Sequence, residues 1–496
     1  MSDATPVPGS AAPGSAPPGS DSLGTRAARG SLWLGLVNLL AKGSQVALTV
    51  VLAGFLTEGE LGLVTVAVAL VNVGQVVQSM GVFDIVSRTA RDPARMAGTM
   101  MTISVGIGTV LAATAVLLAE PIATVLGTPG SAPLIRIAAL SLPFTAAAGV
   151  QMGLMHRNLD FRRRLLPDGG SALVVTVVTV ALAATGHGAA SLAIGLLCGA
   201  VLQPLLCVVA GARVRPLWDA GAAGEALRWT RVVGPGAVIA ILLINVDYPA
   251  VARILGPDAV GVYSLAFRIA WAPYVMVALV LGAVSFPVYA RLRREGAEMR
   301  GAVSRFVRAL LVLAGAPYVI AAVMADRVVV LDARWAPAAP VLVVLCGYGI
   351  GFALQYMLQE VVRAVDRPGA YLLLQVAHLV LLVVGLVVLT PYGVLGAALA
   401  QLVAVWVVVP PALLVLHRAG ALPQAGPVLR TVGGLVLAAG ACLLVRWGTD
   451  HLGPLSDPAS VVGLIVDGLL LATAFLAVMA LTNRDLVRDL RHLRVG

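Results

Sequence analysis

Fourteen apolar segments run along the chain, at 31–55, 61–83, 97–119, 132–155, 171–187, 190–211, 232–254, 260–288, 304–325, 339–362, 371–390, 393–416, 428–447 and 460–482. Most exceed the ~20 residues a helix needs to cross ~30 Å of hydrocarbon. In lipid the backbone must satisfy its own polar groups, and the alternation expected of a membrane barrel is absent. The sequence therefore predicts an all-α polytopic membrane protein of about 14 transmembrane helices. The fifth segment is short, which leaves counts of 12 or 13 open. With 59% hydrophobic and 12% charged residues and a mean hydropathy of +0.95, an ordinary soluble enzyme is excluded, since such a domain is about a quarter charged.

Net charge is +10, and Lys42 is the single lysine among 34 basic residues. Sorted by loop, 26 arginines fall on the side of the N-terminus and 5 on the opposite side, while Lys42, Arg268 and Arg308 lie within segments. This asymmetry predicts both ends in the cytoplasm and the protein in the cytoplasmic (inner) membrane. It also explains the basic balance without nucleic acid. Residues 1–28 repeat Pro-Gly-Ser and read as a disordered cytoplasmic tail. The four cysteines lie inside apolar segments with no metal or disulfide spacing, so no metal and no cofactor is expected.

An internal repeat is visible. The turn Ala53-Gly54-Phe55-Leu56-Thr57-Glu58-Gly59-Glu60-Leu61-Gly62 matches Ala252-Arg253-Ile254-Leu255-Gly256-Pro257-Asp258-Ala259-Val260-Gly261 in Ala, Leu and Gly at an offset of 199. Six segments separate the copies, so both halves enter the membrane in the same direction, as a parallel repeat. The expected organisation is an N-lobe at 29–215, a C-lobe at 216–419, and two appended helices with a cytoplasmic C-terminus at 420–496.

Polar residues within the segments mark candidate function, because they are costly in lipid unless they face a partner or water. Asn38, Lys42, Gln45 and Thr49 share one face of the first segment, and Thr65, Asn72, Gln75 and Ser79 share one face of the second. Two readings stand: stripes lining a wet cleft, or groups that hydrogen-bond between neighbouring helices. Lys42 sits mid-span with no obvious carboxylate at its depth, which favours the cleft. Asp247 and Arg268 flank the turn at Pro257 at similar depth. They form either a structural ion pair or part of the site, with Arg268 gripping a phosphate and Asp247 tuning it or carrying a coupling proton. Trp271 and Tyr274 beside Arg268, and Tyr348, Phe352, Gln355, Gln359 and Arg363 on the tenth segment, combine aromatic faces with amides. Such groups hold saccharides or simply pack. Asp467, Glu360 and His378 are further ionisable groups; His378 reads as a satisfied bundle residue, and Glu360 as a partner for Arg363. Phosphate-loop, metalloprotease and paired Cys/His patterns are absent, and no loop has room for a nucleotide-binding domain.

The chain resembles the bacterial polysaccharide-biosynthesis and lipid-linked oligosaccharide flippases (Wzx type) of the multidrug/oligosaccharidyl-lipid/polysaccharide exporter superfamily. The resemblance rests on Leu56-Thr57-Glu58-Gly59-Glu60-Leu61-Gly62-Leu63, Met155-His156-Arg157-Asn158-Leu159-Asp160-Phe161-Arg162-Arg163, Asn245-Val246-Asp247, Gly261-Val262-Tyr263-Ser264-Leu265-Ala266-Phe267-Arg268-Ile269 and Arg363-Ala364-Val365-Asp366-Arg367-Pro368. It spans about 30–420, and the last two segments match only in hydropathy. It implies a two-lobed bundle alternating between inward- and outward-open states around a cationic cleft, carrying a polyprenyl-pyrophosphate-linked oligosaccharide for cell-surface polysaccharide assembly alongside cell-envelope glycan assembly proteins. By that likeness Lys42 and Arg268 neutralise the pyrophosphate, with Asn38, Gln45, Asn72, Gln75, Gln355 and Gln359 lining the cleft. Asp84 departs from the pattern, standing where relatives tend to have a small residue. The alternative is an ion-coupled small-molecule or multidrug antiporter of the same superfamily, which favours 12 helices and a carboxylate-centred cleft. A membrane glycosyltransferase needs a sizeable outward loop that this chain lacks. No enzymatic chemistry is expected.

Overall fold

The computed structural model describes residues 48, 50–79, 81–158, 160–451, 458–483 and 485. They form α1 (Glu58–Ser79), α2 (Val82–Arg88), α3 (Pro93–Leu117), α4 (Ala119–Val125), α5 (Ala132–Ala139), α6 (Leu142–Arg157), α7 (Phe161–Ala184), α8 (Ala190–Val209) and α9 (Ala220–Leu243). The second half continues with α10 (Asp247–Leu255), α11 (Pro257–Pro273), α12 (Leu279–Arg294), α13 (Arg300–Val323), α14 (Ala338–Ala364), α15 (Pro368–Leu389), α16 (Val394–Arg418), α17 (Ala425–Thr449) and α18 (Val461–Thr482). Among the described residues there is no strand. Among them twelve helices are long and apolar enough to cross a membrane, or thirteen if the bent pair Pro129–Ala139 and Leu142–Arg157 is one span. The thirteen expected segments from 61–83 onward each fall on helix. The first, with the tail at 1–28, lies outside the described residues except for its end, so the expected count of 14 is not established.

Three breaks differ from the sequence expectation. The segment 132–155 is two helices, α5 and α6, parted at 140–141 and bent by 40°. The segment 232–254 is two helices, α9 and α10, parted at 244–246. The Asn245 side chain donates to the Ile241 carbonyl at 3.0 Å, and the Asp247 carboxylate accepts from the Tyr248 backbone N–H at 3.0 Å. Side chains that satisfy local backbone groups in this way compete with the helical ladder. Asp84 likewise does not end the long second helix. Gly81, at φ 80°, ends that run, and Asp84 occupies the first turn of the separate α2, where the helix dipole favours a carboxylate.

Helix α1 packs along α11, α3 on α6, α7 on α8, and α14 on α16. The repeat offset has a direct geometrical expression in the first of these pairs. A Cβ on Gly62 would lie 1.9 Å from the Pro257 carbonyl oxygen, and one on Gly261 would lie 1.9 Å from the Glu58 carbonyl oxygen. Each residue of one contact stands 199 positions from its equivalent in the other, so the two contacts are mates across a twofold-like axis. On that axis Thr65 Oγ1 donates to Ser264 Oγ at 3.4 Å, and these two positions are themselves repeat equivalents. Residues on an axis meet their own counterparts, and two helices approach this closely only through glycine.

The last two helices, α17 and α18, pack on each other and on α13. They attach through buried charge: Asp467 is enclosed between Arg327 and Arg446, with Arg446 Nη1 at 2.8 Å. Arg308 does the same at the opposite end, 2.7 Å from Asp485 and bonded to Thr431. Asp467 thus belongs to this attachment, remote from the α1–α11 pair.

Candidate functional site

Helices α1 and α11 run side by side from the arginine-poor face, so depth can be counted along them. Arg268 lies 11 residues beyond Pro257, about 16 Å at 1.5 Å per residue, close to the middle of a ~30 Å core. One turn separates it from Ser264 on the axis. The Arg268 guanidinium donates to the Tyr248 hydroxyl, and its side chain is only half-buried.

Asp247 is fully buried. Its Oδ2 accepts from the Tyr263 hydroxyl at 2.7 Å and from Gln401 Nε2 at 3.0 Å. Among the described residues no ion pair joins Asp247 to Arg268. Tyr248 stands between them, its backbone N–H donating to the carboxylate and its hydroxyl oxygen accepting from the guanidinium. The direct pair expected from sequence is therefore replaced by a relay. The helix break at 244–246 turns Asp247 toward α11 and α16, where three neutral donors satisfy it.

From the other lobe, Asn72 reaches across, its Nδ2 donating to Asn245 Oδ1 at 3.2 Å. Asn72 and Gln75 are both half-buried. The described part of the predicted cleft thus links Asn72 to Asn245, and Asp247 through Tyr248 to Arg268; Gln75 lies on the same helix as Asn72. Lys42, Asn38 and Gln45 lie outside the described residues. Gln355 and Gln359 are not on an open wall: both are buried in α14, and Gln355 Oε1 has no hydrogen-bond partner among the described residues.

The aromatic residues do form a continuous array. Ring centres lie 5.5 Å apart for Phe267–Trp271, 4.6 Å for Trp271–Tyr274, 5.3 Å for Trp271–Phe352 and 5.6 Å for Tyr274–Tyr356. Trp271, Phe352 and Tyr356 are half-buried, whereas Tyr274 and Tyr348 are buried. Glu360 pairs with Arg363 at 2.9 Å. His378 is buried beside Phe352, and neither ring nitrogen finds a partner among the described residues, contrary to the satisfied role expected. Sequence reasoning missed Tyr248, Tyr263 and Gln401 as parts of this site. Gln401 carried a usable signal, being an amide alone in an otherwise apolar stretch of its segment.

A guanidinium at mid-bilayer depth can hold an anionic group by charge-assisted, bidentate hydrogen bonds. The neighbouring amides and ring faces suit hydroxyl-rich material. Among the described residues no cluster of His, Cys, Asp and Glu has the arrangement of a metal site.

A family described as "Polysaccharide biosynthesis protein" matches residues 51–340. The chain is 24% identical over 468 residues to the succinoglycan biosynthesis transport protein ExoT of Rhizobium meliloti, covering 89% of this chain and 90% of that one. It is 24% identical over 336 residues to the lipopolysaccharide biosynthesis protein WzxC of Escherichia coli, covering 66% and 68%. In fold it is similar to the lipid II flippase MurJ in an inward closed conformation, with a TM-score of 0.75, 15% identity, and coverage of 92% of this chain and 99% of that one. A multidrug resistance MATE family transporter in an inward-facing conformation superposes with a TM-score of 0.57 and 15% identity over 79% of this chain and 99% of that one.

Proposed function

The chain belongs to the polysaccharide biosynthesis protein family, and from that premise we propose that it is a flippase for polyprenyl-pyrophosphate-linked oligosaccharide. It moves the glycan head across the cytoplasmic membrane by alternating access of its two lobes and breaks no covalent bond. The lobes span 29–215 and 216–419, with 420–496 appended, and both chain ends lie in the cytoplasm. Cell-envelope glycan assembly proteins supply and consume its cargo.

The observation that carries this reading is Arg268, a partly buried arginine at mid-bilayer depth one turn from the Thr65–Ser264 contact between the two halves. A pyrophosphate crossing hydrocarbon needs a counter-charge at that depth. Lys42, on the first segment, supplies a second. The amides of Asn38, Gln45, Asn72 and Gln75 meet the glycan hydroxyls, and Asp247, held by neutral donors, fixes Tyr248 and through it the aim of Arg268.

The test is translocation of a fluorescent polyprenyl-pyrophosphate oligosaccharide in proteoliposomes, comparing wild type with Lys42→Ala and Arg268→Ala. Each substitution is expected to abolish movement while leaving expression intact. Movement that survives both discards this anion site. No movement by wild type, under imposed ion gradients and with several glycans, transfers the reading to an ion-coupled small-molecule antiporter.

A further inference from the structure

Two cavities open at the arginine-rich ends of the helices, and their charge differs. One, of about 350 Å³, is lined by Arg91, Asp92, Arg95, Asp219 and Ala222. There Arg91 lies 2.7 Å from Glu225, and Arg95 lies 3.9 Å from Asp92 and 4.0 Å from Asp219. Three carboxylates answer two guanidiniums.

The other, of about 420 Å³, lies where the end of α12 meets the end of α14 and is lined by Phe286, Ala290, Arg293, Arg294, Arg363, Ala364 and Asp366. Three guanidiniums here meet two carboxylates, Arg363 with Glu360 at 2.9 Å and Arg293 with Asp366 at 3.4 Å. Membrane orientation asks only that arginines be on this side. It does not ask that they converge on a hollow, nor that one be fixed in place. Arg363 is fixed, its guanidinium 5.1 Å from the Phe286 ring centre and 5.9 Å from that of Tyr371. A stacked guanidinium is preorganised and keeps its in-plane donors for an acceptor.

Asp366 adds a second, independent feature. It is the one non-glycine residue with positive φ among those described, at 54°. Its backbone N–H donates to the Arg363 carbonyl and that of Arg367 to the Val362 carbonyl, so the position closes α14. Glycine ordinarily fills such a C-terminal position. An aspartate there keeps a carboxylate on Arg293, as a counter-ion that an incoming anion can displace.

A chain of packed side chains joins the cavity to the helix of Arg268: Arg363 pairs with Glu360, and one turn earlier on the same helix Tyr356 contacts Tyr274, which contacts Trp271.

We propose that the cavity of Arg293, Arg294 and Arg363 is a docking site for the diphosphate headgroup of an isoprenoid lipid, where cargo is held at the membrane edge before it reaches Arg268. The identity of the lipid rests on the flippase reading; the existence of a phosphate-binding cavity does not.

The experiment uses the full chain in phosphatidylcholine nanodiscs and a fluorescent farnesyl diphosphate as probe, in a Lys42→Ala, Arg268→Ala background so that the remaining binding reports this cavity. Arg294→Gln with Arg363→Gln is expected to weaken binding about tenfold through loss of charge-assisted bonds. Asp366→Gly is expected to tighten it about threefold, since it removes a competing carboxylate and suits the backbone. Inorganic diphosphate should compete, and nanodiscs containing phosphatidylglycerol should leave the affinity within about twofold, since that headgroup carries a single phosphate charge. Binding that ignores both variants overturns the site. Full displacement by phosphatidylglycerol overturns its assignment to a diphosphate lipid. If the double variant fails to fold, Asp366→Gly decides alone, and weaker or unchanged binding counts against the proposal. Wild-type protein that binds through these arginines yet never translocates cargo breaks the flippase reading and leaves the cavity standing.

Discussion

The lobes meet each other and the C-terminal helices meet the C-lobe by different chemistry. Within the bilayer, α1 and α11 touch through glycine against backbone carbonyl and through one hydroxyl contact at 3.4 Å. Trp335 and Arg334 tie the arginine-poor end to the carbonyls of Ala53 and Leu56. Where charges bridge the lobes, as in Arg91–Glu225, both side chains are substantially exposed. The attachment of α17 and α18 instead buries Asp467 completely between two guanidiniums. An exposed pair is worth little and is easily parted, whereas a buried one is costly to break on one side. In the proposed alternating cycle, the polar contacts across the seam that would open are weak or exposed, whereas those that attach α17 and α18 include a buried ion pair.

That contrast can be broken or sharpened by substitution. Asp467→Ala removes the buried carboxylate that Arg327 and Arg446 share, while Arg446 keeps Asp326 and Asp450; it should cost about 3 kcal/mol, read as a lowered unfolding temperature in detergent, and a loss near zero would erase the distinction. Gly62→Val places a side chain where the Pro257 carbonyl already lies. It should cost about 1–3 kcal/mol as an overpacked contact and raise thiol labelling of a Thr65→Cys probe as the lobes part. Unchanged labelling would mean that this contact does not close the arginine-poor face. Glu225→Gln removes an exposed partner of Arg91 and should change stability by no more than about 1 kcal/mol. The smallest effect concerns pH. Asp219 caps α9, and the Ala222 N–H, helped by Arg91 and Arg95, holds its carboxyl below the usual carboxylate range. Its contribution is present above that range and is lost as pH falls through the lowered value. Amide exchange at the start of α9 should therefore quicken only in acid, and equal quickening near neutrality would contradict the cap.

Much of this architecture was legible in the sequence because the bilayer imposes length and apolarity on each segment. The 199-residue offset was legible too, and it singled out the hairpin that lies on the axis. The helix break before Asp247 was not, since Ile244-Asn245-Val246 contains no proline or glycine and is set by side-chain bonds to the backbone. Nor was the true partner of Asp247: Gln401 lies 154 residues away, and nothing local announces a tertiary hydrogen bond. Charge at matching depth suggested Arg268 because it was the nearest opposite sign, but depth alone does not give the direction in which each helix face turns. The candidate lining residues separate for the same reason, Asn72 and Gln75 half-open while Gln355 and Gln359 face inward.

Between α11 and α12 the chain makes one turn of π-helix at Tyr274–Ala278. Such a turn holds one residue more than the α-helix it interrupts. Each added residue advances the helical phase by about 100°. The extra residue therefore acts as a clutch on one continuous helix, setting the face that carries Phe286 and Arg293 independently of the face that carries Arg268. Deleting one residue from 275–278 would restore a regular helix and rotate one of the two proposed anion sites away from its partners.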